Sequence, residues 1–173
     1  MRSGSVWQAL EAVGVGNAAL AETICSGYYR DNLDKLRERL TIAHRDRKDL
    51  LEEAFKCHEQ GLYFASTCLF VSQADGLGKG KLLSKAKVKD YMKAQKSPQI
   101  AVTVLESTSA ISADDKDKSK FFSDLNRHEV MHGLYSGYGT ELNSLKALSL
   151  LSFVCDFVGR YNEGTPGRSQ LPR

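Results

Sequence analysis

The chain has 173 residues, the length of one ordinary domain. Its 42% apolar and 26% charged residues suit a soluble globular protein, and 14 glycines and three prolines are too few for a low-complexity or fibrous chain. A net charge of +3 and a pI near 8.6 fall short of the pI above ~9 that marks a strong nucleic-acid footprint, and no apolar run approaches the ~18 residues of a membrane span.

The first 20 residues carry weak signals and read as an N-terminal extension. Met1 to Ser5 holds one charge and no apolar core of a secretory signal, so a cytoplasmic location is expected. Residues 21–159 read as one helical-bundle domain. Ile24 to about Ile42 sets Leu33, Leu36, Leu40 and Ile42 among charges, and the i, i+3, i+4 spacing predicts an amphipathic helix. Asp46 to about Gln60 predicts a second, with Leu50, Leu51, Ala54, Phe55 and His58 on one stripe and Gly61 as its stop.

Leu62 to Ala74 is the most apolar stretch. It predicts the central core helix, and its aromatic and β-branched residues also permit a buried strand. Gly76, Gly78 and Gly80 close it. From Lys79 to Lys96 there are seven lysines against the single acid Asp90. That run reads as a solvated helix face, or as a phosphate-contacting surface through Lys79, Lys81 and Lys85. Ile100, Val102 and Val104 favour a short helix over an unpartnered strand. Residues 112–120 are a polar loop or helix start.

Phe121 to His132 predicts a helix closed by Gly133, and residues 134–139 a turn. Thr140 is a good N-cap for a final helix from Glu141 to about Val158. Residues 160–173, rich in Gly, Pro, Ser and Arg, read as a disordered tail. The fold class expected is all-α, a bundle of five to seven helices. Cys25, Cys57, Cys68 and Cys155 show no CxxC spacing and read as free, buried thiols.

Two motifs overlap in residues 126–133. The first is HExxH, spelled by His128-Glu129-Val130-Met131-His132. Imidazoles four residues apart share a helix face and can hold zinc while the glutamate serves as general base. A catalytic zinc needs a third protein ligand. Position 138, where the metzincin pattern requires histidine, is Tyr138. That leaves Glu141, Asp156 and Glu163. This reading gives a small zinc hydrolase.

The second motif is Arg127, four intervening residues, then His132, preceded by Asn126. Its context is Leu125-Asn126-Arg127-His128 and His132-Gly133, a turn with Tyr138-Gly139-Thr140, and Asn143-Ser144-Leu145-Lys146-Ala147 opening an apolar helix. Upstream stand Glu53-Ala54, Gly61-Leu62-Tyr63 and Gln73-Ala74-Asp75-Gly76. Over roughly residues 35–158 this pattern resembles the HEPN superfamily, helical-bundle proteins that include many metal-independent ribonucleases. It looks like one uncharacterised bacterial and phage-associated branch.

The resemblance implies a homodimer that cleaves RNA in a cleft between protomers, with no cofactor. It also implies a toxin or phage-defence setting, with an antitoxin or other regulatory protein as a further partner. His132 would be the general base or acid and Arg127 the group that stabilises charge on the phosphate. Asn126 would position the phosphate or cap a helix, and His128 would assist. Gln73 and Asp75 are auxiliary candidates, and Tyr135 and Tyr138 would stack bases or pack the turn. Residues five apart lie about 140° apart around a regular helix, so Arg127 and His132 converge only if the helix bends or a dimer forms. The competing readings are an inactive binding or adaptor module, with Arg127 ion-paired to Asp75 or Asp124, and the zinc hydrolase.

Overall fold

The computed structural model describes residues 3–81, 90 and 125–157. Among them are seven α-helices and one 3-10 turn, with no strand, so the protein is an all-α helical bundle. The helices are α1 (Ser3–Gly14), α2 (Ala18–Asp31), α3 (Leu33–Ala43), α4 (Lys48–Glu59), α5 (Tyr63–Leu77), α6 (Arg127–His132) and α7 (Glu141–Phe157), and the 3-10 turn is Arg45–Arg47. The expectations for Leu82 to Lys89, residues 91–124 and the tail, Lys85 included, fall outside the described residues.

The N-terminal region contributes a helix. α1 packs on α2, with Ala9 and Ala12 buried. Asn17 opens α2 by accepting a hydrogen bond from Leu20 N at 3.0 Å. The single helix expected from Ile24 to Ile42 is two helices instead. Asn32 breaks it with φ −122° and ψ 21°. Its side-chain amide donates to Tyr28 O at 2.9 Å, while its carbonyl accepts from Leu36 N at 2.9 Å. A short polar side chain thus ends one helix and its backbone starts the next.

α5 is the central helix, and the strand alternative does not occur. It packs on both α4 and α7. Ser66, Thr67, Phe70, Val71, Gln73 and Ala74 are buried on it. Phe70 meets Phe55 of α4 edge to face, with ring centres 5.2 Å apart, and neither ring is exposed. Leu148, Leu151 and Val154 bring the apolar stripe of α7 into the same core. α5 runs one turn beyond Ala74, through Gly76 to Leu77. Arg47 of the 3-10 turn lies against Gly76, where a Cβ would stand 2.5 Å from its Nη1.

Polar contacts tie the outer helices to α7. Arg30 Nε donates to Glu141 Oε1 at 2.7 Å, and Lys146 pairs with Glu22. Arg39 reaches Asp156 and Ser152. The Arg30–Glu141 pair is exposed and contributes at most ~1 kcal/mol, so it orients α2 more than it holds the fold. The four cysteines are free thiols, with Cys57 and Cys155 buried and Cys25 and Cys68 partly so. Among the described residues no helix is long and apolar enough to cross a membrane.

A buried polar chain crosses the α4–α5–α7 junction. His58 Nδ1 shares a hydrogen bond with Ser144 Oγ at 2.8 Å, and Ser144 Oγ shares another with Ser66 Oγ at 2.7 Å. All three residues are buried. Burial pushes the His58 imidazole below its usual range. Glu141 on α7 and Glu59 on α4 oppose that shift, and Arg30 on α2 adds to it; the Tyr63 ring of α5 packs edge-on at 5.5 Å. The folded state therefore holds His58 neutral where an unfolded chain, titrating near ~6.5, begins to bind protons. This contribution to stability is complete above that pH and is lost as pH falls toward the lowered folded value. Urea midpoints measured from pH 7.5 down to 5 are expected to fall, and His58→Gln to flatten the curve. An identical slope in both proteins would refute the assignment to His58.

Candidate functional site

Residues 125–140 form a short helix and a turn leaning on α5. Leu125 and Val130 are buried in the main core and fix α6 in place. Asn126 is the N-cap: its Oδ1 accepts from His128 N at 2.9 Å and from Glu129 N at 3.4 Å. At 4% exposure its side chain is committed to the cap, the second of its two expected roles. The helix that carries His132 begins at Arg127, because Asn126 takes extended backbone, with φ −117° and ψ 121°; the part of the expected helix at residues 121–124 lies outside the described residues.

Gly133 ends α6 in the left-handed region at φ 65°. Gly133 N bonds to Val130 O and Leu134 N to Glu129 O, the paired bonds of a Schellman closure. Gly133→Ala forces a Cβ into that backbone and is expected to cost about 1 kcal/mol. Faster amide exchange at Leu134, with the rest of the bundle unchanged, would register the loss.

α6 is thus a regular helix held at both ends. Arg127, in its first turn, is half-buried. His128 and His132 are exposed, with ring centres 4.4 Å apart and planes inclined at 53°. Four residues of helix turn through about 400°, which sets these two on one face, while Arg127 and His132 remain about 140° apart. Their positions on the helix therefore lie on different sides of its axis.

The two tyrosines occupy different settings. Tyr138 packs against Phe64 with ring centres 5.1 Å apart, and its hydroxyl lies 3.3 Å from Cys68 Sγ. The hydrogen bond with Cys68, with burial, pushes Tyr138 up to about 12. Phe64 also covers Gly139, where a Cβ would fall 2.4 Å from its ring. Tyr138 therefore fastens the turn to α5. Tyr135 is exposed and curls over Gly137. Met131 and Leu134 are exposed beside it in sequence, at 46% and 66%.

The auxiliary candidates have other neighbours. Gln73 Oε1 accepts from Arg47 Nη1 at 2.9 Å, while Arg47 Nη2 donates to Gly76 O at 3.2 Å. Gln73 thus secures the 3-10 turn to the end of α5. Asp75 is half-buried, and its carbonyl accepts from Gly80 N at 3.0 Å. Lys79 and Lys81 are exposed just past α5, with Lys79 in the left-handed region at φ 54°.

No protein-family model, curated protein or solved structure matches this chain.

The site's chemistry is read from its own geometry. For a zinc hydrolase, Glu141 is held by Arg30, which keeps its carboxyl below the usual range, and Asp156 is held by Arg39. Glu163 lies outside the described residues. Among the described residues no group of three His, Cys, Asp or Glu side chains is placed to hold a metal. Sequence reasoning missed Arg47, whose partners Gln73 and Gly76 O lie 26 and 29 residues away. It set His58 on the buried stripe of α4 but had no signal for Ser144 and Ser66 as partners.

Proposed function

We propose that this chain is a metal-independent endoribonuclease of the HEPN type, related to toxin or phage-defence systems. Two copies act together, Arg127 of one with His132 of the other. The observation that carries the reading is the presentation of His132: an exposed imidazole on a helix fixed by Asn126, Val130 and Gly133. A rigid support of that kind suits a proton-transferring group. The 140° separation from Arg127 in one chain is the reason for assigning the pair to two chains.

In the proposed reaction the His132 imidazole takes the proton of an RNA 2′-hydroxyl. The 2′-oxygen attacks the adjacent phosphorus, and the bond to the 5′-oxygen breaks. The products are a 2′,3′-cyclic phosphate and a 5′-hydroxyl, whose proton comes from a second imidazole or from water. The Arg127 guanidinium, planar and permanently charged, stabilises the negative charge that develops on the phosphate oxygens.

Mixing two inactive variants tests this. Arg127→Ala and His132→Ala proteins are each expected to fail on total RNA. Co-refolded together they are expected to regain cleavage, because one of the two clefts in a mixed dimer keeps an intact Arg127 and His132. No cleavage by the wild-type protein sinks the reading, and no regain on mixing sinks the two-chain site.

A second reading has its own support. Met131, Leu134 and Tyr135 expose apolar surface next to His132 in sequence. That favours a catalytically silent module docking a protein partner, for which wild type and both variants would leave RNA intact alike.

A further inference from the structure

The exposed face of α6 has a second chemical capacity. We propose that His128 and His132 together bind one divalent transition-metal ion of the imidazole-preferring class, Ni²⁺ or Cu²⁺ in preference to Zn²⁺. Both rings stand free of the core on successive turns, with centres 4.4 Å apart. An imidazole nitrogen binds such an ion at about 2 Å and lies about 1.1 Å from its own ring centre, so a right-angle pair of ligands sets the centres about 4.5 Å apart and a tetrahedral pair about 5 Å apart. The observed spacing fits the right-angle case. Right-angle ligands belong to square-planar and octahedral ions such as Cu²⁺ and Ni²⁺, while Zn²⁺ prefers the tetrahedron.

The rings already stand at that spacing on adjacent turns, so chelation requires no movement of the backbone. The other two histidines are engaged elsewhere: His44 Nε2 lies 3.0 Å from Cys155 Sγ, and His58 is buried against Ser144. The remaining coordination positions are supplied by water. Hard cations such as Mg²⁺ prefer oxygen ligands and are not expected to bind here. The site stands on ring geometry and does not depend on the RNA reading. An ion held there would occupy the His132 nitrogen that proton transfer needs, so the two uses of this face exclude each other.

Titration of the untagged protein with NiCl2, without RNA, tests the proposal. One ion per chain is expected. His128→Ala and His132→Ala should each weaken binding at least as much as the ~10–100-fold that losing an outer-shell partner costs a metal site. CuCl2 should bind more tightly than NiCl2, ZnCl2 more weakly than either, and MgCl2 not at all. On the wild-type protein alone, paramagnetic Ni²⁺ should broaden the ring resonances of His128 and His132 before those of His44 and His58. Absence of binding, binding undiminished in either variant, or broadening that starts at His44 or His58 overturns the proposal.

Discussion

His132→Ala is expected to lower RNA cleavage by about 10²–10⁴-fold, the range for removing a positioned acid or base. Its urea midpoint should match that of the wild type, because the imidazole is exposed. That separation is what distinguishes a chemical role from a structural one. Arg127→Lys keeps the charge but loses the planar fork, so activity should remain well below wild type if the guanidinium grips the phosphate with two hydrogen bonds. Initial rates on a short RNA with a single cleavage site, with end-group analysis for the cyclic phosphate, measure both. Full activity in His132→Ala would eliminate His132 as the proton carrier.

Phe70→Ala carries the largest expected loss of stability. Phe70 is fully buried at the centre of α5, edge to face with the equally buried Phe55. Emptying such a site removes the transfer free energy of the ring and leaves a cavity that close-packed neighbours fill only in part, for about 3–5 kcal/mol. Domains of this size are stable by ~5–15 kcal/mol, so the variant should unfold at much lower urea with the slope unchanged. Leu50→Ala is the matching control. Leu50 lies on the stripe that the sequence marks as apolar, yet it is 48% exposed, and its loss should shift the midpoint little. A small effect at Phe70 would mean that the core is centred elsewhere than on the α4–α5–α7 packing.

Where helices form is largely a local matter, and local chemistry is legible. The spacing of apolar residues marked α4 and α7, and α5 was marked by its overall apolarity, which left a buried strand open there. Gly61 and Gly133, each at positive φ, and Thr140, whose Oγ1 accepts from Asn143 N at 3.2 Å, act where their residue types suggest. The same local reading failed at Asn32. An apolar pattern runs through that position, and only the competing bond from its side chain to Tyr28 O splits the helix. It failed again at the start of α6, where Asn126 reads equally well as a phosphate ligand and as a cap until its backbone is seen.

The sequence by itself determined the all-α class, the central place of α5, and the one short stretch that carries His128, Glu129 and His132. These follow from residue types and their order along the chain, by spacing in the amphipathic helices and by overall apolarity in α5. Only the tertiary structure decided the rest. It set Tyr138 against Phe64 and Cys68, Gln73 against Arg47, and His58 against Ser144, pairings that span 26 to 86 residues of chain. Periodicity reports which face of a helix is buried, but not which side chain of another helix meets it. It also set the His128 and His132 rings side by side in the open, on a helix capped at both ends. The zinc-like spelling and the Arg-to-His spacing lie within the same six residues. The helical geometry of α6 separates them: His128 and His132 share one face, and Arg127 and His132 do not.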